Sequence, residues 1–233
     1  MRSSLLTLYY FATLAVTTPL VPRSKVGYTT VLWSNAFLLI ANVTNLSMDL
    51  DPSVHLWKLN GVHNGAGAET AILTKETGRI FYENGTDDNI GVTSDTNGPY
   101  PSSMVIHPLT PDQPYADYVD NLGINLGMAM RGLGIVPYGE EGWPWPSLYS
   151  PDDGTFMACP GVGAQDHQVR FAKGTVDADG NLSVAVPLGC APVTLLAQCM
   201  ILGNAPAGAT YTHDYARQIR CYEDVSNVDW SME

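Results

Sequence analysis

Short apolar runs separated by turn-forming residues recur along almost the whole of this 233-residue chain. Residues 37–41, 104–106 and 193–200 have the length of strands, and Gly, Pro, Asn and Asp residues lie between such runs. Only 15% of residues are charged, whereas surface helices need charged residues on their wet faces. The pattern predicts an all-β fold, either an antiparallel β-sandwich or a partly closed β-barrel.

Turn signals divide the runs. Asn60-Gly61 predicts a hairpin turn, as does the segment 177–181. Residues 86–100 are polar and predict a loop. Residues 122–136 alternate in part and contain Gly123 and Gly127. Because each glycine weakens a helix by about 1 kcal/mol, we favour a pair of strands there, with a helix as the open alternative.

The N-terminus has the layout of a secretory signal. Arg2 precedes an apolar stretch over residues 5–16, and small residues follow it. The stretch is shorter than the ~20 apolar residues of a membrane-spanning helix. We therefore predict a signal peptide over 1–18, cleaved between Ala15 and Thr18, and a single secreted β-rich domain over 26–233, with no membrane span. The polar lead at 22–25 is a pro-segment or a frayed terminus.

The four cysteines all lie in the last third of the chain. An even number in a secreted chain predicts two disulfides, and four cysteines allow three pairings. Our hypothesis pairs Cys159 with Cys190 and Cys199 with Cys221, because Cys159 and Cys190 each end a strand signal. Zinc is disfavoured, since the chain has no Cys-x-x-Cys pair and no histidine at ligand spacing.

Four Asn-x-Ser/Thr sequons follow the signal, and they predict N-glycosylation in a secreted protein. Three lie at predicted strand ends or turns, where a glycan can reach water. The first two are close enough to compete, and we expect Asn84 and Asn181 to be the best occupied. The four acceptors are Asn42, Asn45, Asn84 and Asn181.

Aromatic residues cluster around a proline-rich segment. Rings on a stiff loop make a stacking surface for sugars or peptides, since little entropy is lost on binding. The alternative is that the tryptophans fold back and cover one end of the sandwich. As the best ligand-binding candidates the sequence offers Tyr138, Trp143, Trp145 and Tyr149.

Catalytic patterns are weak. The chain has no Gly-x-Ser-x-Gly elbow, and the adjacent acids Glu140-Glu141 and Asp152-Asp153 are more typical of solvated loops than of a glycosidase pair. The segment 65–68 predicts a surface turn and not a nucleotide-binding loop. The segment 177–181 lacks the ligand spacing of a calcium-binding loop. We predict no catalytic residue, metal or cofactor. The net charge of -12 disfavours nucleic acid as a partner.

Three stretches resemble a family of small secreted fungal proteins of unknown function. They are residues 37–44 with 49–54 and Trp57, residues 65–86, and residues 156–159 with 189–199; Cys221 lies outside this pattern. The resemblance implies a secreted β-rich domain without an established activity. The leading expectation is a non-catalytic extracellular or cell-wall protein that binds a carbohydrate or a host surface. The alternatives are a secreted polysaccharide hydrolase and a structural coat protein without a ligand.

Overall fold

The computed structural model describes residues 30–86, 90–127, 129–136, 145–161, 167–177 and 179–228, and the structural statements below concern these residues. The predicted signal peptide over 1–18 and the lead at 22–25 lie outside them. So do Tyr138, Trp143 and the pair Glu140-Glu141.

Strands dominate the described chain, and two short 3-10 helices, Leu46–Met48 and Val225–Asn227, accompany them. The strands are β1 Val31–Ser34, β2 Ala36–Val43, β3 Lys58–Gly65, β4 Ala68–Thr74, β5 Tyr82–Asn84, β6 Gly91–Ser94, β7 Ser102–Pro108, β8 Val119–Leu126, β9 Gly134–Ile135, β10 Leu148–Tyr149, β11 Gly154–Pro160, β12 His167–Val176, β13 Leu182–Val184, β14 Ala191–Met200 and β15 Ile219–Tyr222.

Thirteen of these strands form one sheet, whose main path runs β1-β15-β14-β2-β3-β4-β12-β8-β7-β6-β5. β11 pairs with both β12 and β14. It thereby closes a ring of pairings through β2, β3 and β4, while isolated bridges of Phe81 with Phe37 and of Asn84 with Ala216 join the β5 end to other segments. The strands β9 and β10 pair separately. The predicted all-β, partly closed architecture is confirmed, although β14 and β15 run parallel rather than antiparallel.

The strand β2 explains why the apolar run at 36–41 is continuous rather than alternating. All eight of its residues are buried. Phe37, Leu39 and Ala41 point into the main core, whereas Leu38 and Ile40 join a second cluster on the opposite face with Leu196, Tyr222, Val225 and Val228. A strand covered on both faces needs apolar side chains at every position.

The local turn predictions have mixed outcomes. Asn60-Gly61 lies inside β3 and not in a turn. A Cβ at residue 61 would collide with the Glu69 carboxylate, which is paired with Arg79, so this glycine admits an ion pair across the hairpin. The β3–β4 turn occurs instead at residues 65–68, where Gly67 has a φ of +71°. The expected turn at 177–181 does form, and Asp177 accepts hydrogen bonds from the amides of residues 179 and 181.

Three strands, β1, β6 and β10, were not predicted. β6 lies in the segment 86–100 interpreted as a loop, and its four residues are buried. Thr93 and Ser103 lie with their hydroxyl oxygens 3.4 Å apart, which gives the polar strand a polar neighbour. β1, the edge strand, was also missed. In the ambiguous stretch 122–136, β8 and β9 form and the described residues hold no helix.

Both disulfides join segments of the large sheet. Cys159 pairs with Cys190 and Cys199 with Cys221, the pairing proposed from the sequence. The first bridge lies in a third apolar cluster, and the second ties β15 to β14. In the described part of the chain, no helix has the length and apolar character needed to cross a membrane.

Candidate functional site

An exposed tryptophan marks one edge of the sheet. β1 pairs only with β15 in the sheet path, and Trp33 lies opposite Arg220 in the register. The Arg220 guanidinium carbon is 4.5 Å from the centroid of the Trp33 ring, a cation–π contact that restrains the ring. Trp33 is nevertheless 59% exposed. The edge strand therefore presents a large aromatic surface to solvent in a defined orientation.

Trp33 lines two cavities, and we call this region the Trp33 site. The larger cavity, of about 430 Å³, is bounded also by Ser34, Asn35, His213 and residues 200–203. The smaller, of about 290 Å³, contains apolar isoleucine side chains together with Glu83, Tyr149, Arg217 and Arg220. The combination of an aromatic face with a few polar groups in a concavity is typical of small-ligand sites.

The Glu83 carboxyl is the buried polar group of the smaller cavity. Glu83 is 4% exposed, and its Oε1 accepts a hydrogen bond from the Ile135 amide. Burial raises the pKa of this carboxyl, while the Ile135 bond and the charge of Arg217 act in the opposite direction. A Cβ at Gly134 would stand 2.9 Å from Oε1. The glycine therefore keeps this part of the cavity open.

A histidine with both ring nitrogens engaged lies in the wall of the larger cavity. The His213 Nε2 is 2.9 Å from the Asp95 carboxylate, and its Nδ1 is 3.0 Å from the Gly203 carbonyl. Each ring nitrogen therefore lies within hydrogen-bonding distance of a protein oxygen. The Tyr82 ring packs edge-on against it at 4.8 Å. Burial and the nearby Asp95 charge raise the pKa of the Tyr82 hydroxyl.

This environment does not provide a catalytic triad. Ser34 lines the same cavity as His213, but its hydroxyl donates to the Met200 carbonyl. The ring nitrogens of His213 contact Asp95 and the Gly203 carbonyl, and neither is recorded against the Ser34 hydroxyl. The cluster therefore fastens the loop that carries His213 to the strand β6 and forms a wall of the cavity.

The described lining of the smaller cavity of the Trp33 site does not contain the two carboxyls needed for glycoside cleavage. Glu83 is the one carboxyl among the described residues that line this cavity, and glycosidases use two flanking the scissile bond. Asp152 and Asp153 line a different cavity, of about 190 Å³, and both are exposed.

The two described aromatic residues among those proposed from the sequence, Trp145 and Tyr149, have different surroundings. Tyr149 lines the smaller cavity of the Trp33 site. Trp145 packs against the second apolar cluster, with its ring centroid 6.4 Å from that of Tyr222. It therefore covers the outer face of β2 and β14, as in the alternative interpretation. Tyr138 and Trp143 lie outside the described residues.

The sequon asparagines differ in accessibility. Asn42 lies in β2 and is 4% exposed, so the fold leaves little room for a glycan at this position. Asn45 and Asn181 are exposed. Asn84 is half-buried at the end of β5 and lines a separate cavity of about 540 Å³. None of the four lines the Trp33 site in the described structure.

Sequence reasoning missed Trp33, Glu83 and Arg220. The apolar run at 31–33 is the local signal that identifies β1 as a strand. Nothing in the sequence places Trp33 against Arg220, however, because the two residues come from opposite ends of the chain.

The chain resembles known proteins in two respects. A family model described as a domain of unknown function, DUF7907, matches residues 34–199. The antigenic protein SchS34 of Stachybotrys chartarum is 32% identical over 206 residues, which cover 85% of this chain and 90% of that protein. No solved structure matches the chain. The two disulfides and the fungal relative fit an extracellular protein of unknown function. On the extent of the family match, the chain belongs to the DUF7907 family.

Proposed function

We propose that this is a secreted, N-glycosylated extracellular protein that binds carbohydrate at the Trp33 site and does not catalyse a reaction on it. The single observation that carries the proposal is the Trp33 ring, which is 59% exposed, restrained by Arg220 and placed at the junction of two cavities. This site replaces the aromatic loop around Trp143 and Trp145 as the proposed binding surface.

The chemistry of the site suits a sugar. The apolar face of a pyranose stacks on an indole ring, and a ring already restrained loses little entropy on binding. The hydroxyl groups of a sugar both donate and accept, so they match the carboxyl of Glu83 and the guanidinium of Arg217 in the adjoining cavity. A site of this kind binds through stacking and a few directed hydrogen bonds.

Four observations support binding without catalysis, an extracellular location and N-glycosylation. The described lining of the Glu83 cavity contains no second carboxyl, and His213 has both nitrogens engaged. Two disulfides are typical of oxidising compartments. Glycans at Asn45 and Asn181 would project into solvent, since both residues are exposed.

The test is a glycan array that includes neutral and acidic cell-wall oligosaccharides, probed with the wild-type protein and with Trp33→Ala. We expect binding that Trp33→Ala abolishes while the thermal unfolding midpoint changes little, because the ring is largely exposed. Leu188→Ala is the matched control, since Leu188 is 96% exposed and lines neither cavity. Absence of glycan binding, or binding that survives Trp33→Ala, would refute the proposal.

A further inference from the structure

The charges of the Trp33 site are not balanced. The smaller cavity is lined by two arginines, Arg217 and Arg220, and by one described carboxyl, Glu83. Glu83 and Arg217 interact electrostatically. No described carboxylate lies within ion-pairing distance of the Arg220 guanidinium. Arg220 is therefore a cation without an acidic partner among the described residues, although the chain as a whole has a net charge of -12.

The contact between Arg220 and Trp33 leaves the donors of the guanidinium available. A planar guanidinium that stacks on an aromatic ring uses its face, and its five N–H groups point outward in the plane. That fork matches the two oxygens of a carboxylate, which it can bind bidentately. The contact with Trp33 also restrains the guanidinium of Arg220 before a ligand binds. Arg220 thus combines an aromatic platform and an anion-binding group in one cross-strand pair.

The net negative charge of the protein does not prevent an anion from binding here. Charges on the surface are screened beyond about 8 Å at physiological ionic strength. A ligand carboxylate in the cavity therefore responds chiefly to the groups lining it. Two of the three charged side chains described in that lining are cations.

We infer that the Trp33 site selects acidic saccharides, in which one sugar ring stacks on the face of Trp33 that Arg220 leaves open and a carboxylate of the same oligosaccharide binds the guanidinium of Arg220 at the edge of the indole. This inference rests on the proposed carbohydrate-binding function and adds the class of sugar. The carboxylate is the feature that a neutral sugar of the same ring geometry lacks. The site therefore separates the two classes by charge and not by shape.

The experiment compares one ring with and without its charge. Tetra-galacturonate and its fully methyl-esterified form are titrated into the glycosylated, disulfide-bonded protein by calorimetry. We expect the acid form to bind about tenfold more tightly or better, as charge-assisted hydrogen bonds are stronger than neutral ones. The preference should weaken as salt is added.

Two arginine variants isolate the residue. Arg220→Gln should remove the preference for the acid over the ester, so that the affinity ratio falls to about one. Arg131→Gln changes the net charge equally, and Arg131 lines a different cavity, so this control should retain the ratio. Arg220→Lys keeps the charge but has no planar fork, and it should give an intermediate ratio. Using the ratio makes the result independent of any general loss of affinity in the variants.

The outcomes separate this inference from the proposed function. Equal affinity for acid and ester, or a preference that persists in Arg220→Gln, would overturn the inference, while glycan binding dependent on Trp33 would leave the proposed function standing. If no saccharide on the array binds through Trp33, the proposed function fails and this inference fails with it.

Discussion

Removing the Cys199–Cys221 disulfide should disturb the Trp33 site more than removing the other bridge. β15, which carries Arg220, pairs with β14 at a single residue pair, Gln198 with Tyr222, and the disulfide fastens the same two strands. β1, which carries Trp33, pairs with β15 over four residues. The bridge therefore adds a covalent attachment between this edge and β14, beside the hydrogen bond from the Ser34 hydroxyl to the Met200 carbonyl.

The expected loss of stability follows from the length of each loop. In the chain-entropy account, a bridge spanning 22 residues stabilises the folded state by about 3.4 kcal/mol and one spanning 31 residues by about 3.7 kcal/mol. For a chain of about 200 residues, either loss corresponds to a decrease of roughly 7–14 °C in the unfolding midpoint. The two bridges should thus contribute similarly to the global stability of the protein. They differ in how far along the sheet they lie from β1.

The assay uses the double variants Cys199→Ala/Cys221→Ala and Cys159→Ala/Cys190→Ala. The thermal unfolding midpoint should fall by similar amounts in both variants. Hydrogen–deuterium exchange should accelerate at the amides of β1 and β15 only in the first variant, and only that variant should lose saccharide affinity beyond the amount of protein unfolded. Equal exchange in both variants at this edge would show that hydrogen bonds and packing hold the edge without the bridge.

Further predictions concern single residues. Because burial raises the pKa of Glu83, the unfolded chain ionises this group at a lower pH than the folded protein does. The free energy of unfolding should therefore fall as the pH rises from about 4.5 through the raised pKa. The fall should be shallower for Glu83→Gln when unfolding is measured across this window. Trp145→Ala should lower the free energy of unfolding in denaturant by about 2–3 kcal/mol, which is less than the loss at a fully buried tryptophan, since Trp145 is only partly buried against the second apolar cluster. A change below about 0.5 kcal/mol would contradict its covering role. Mass spectrometry of secreted protein should find glycan on Asn45 and none on Asn42, because only Asn45 is exposed. N-terminal sequencing should find cleavage between residues 15 and 18, and an intact Met1 on exported protein would refute the signal peptide.

Features determined by neighbouring residues were predictable from the sequence. The short apolar runs indicated strands because a strand needs only a few residues with a face to bury. The turn at 177–181 was readable because the Asp177 side chain binds amides only two and four residues away. The cysteine pairing could be proposed because Cys159 and Cys190 end strand signals. The resemblance to secreted fungal proteins likewise agrees with the family and the fungal relative that the chain matches.

Only the tertiary structure decided which residues form the candidate site. Asn60-Gly61 has the local signature of a turn, yet it lies in a strand because these residues pair with Ile72 and Ala71 of β4. Asn42 carries a sequon, but its place in a strand buried on both faces depends on distant partners. Trp33 and Arg220 come together through the pairing of the first strand with the last. Such contacts join residues far apart in the chain, and no local pattern encodes them.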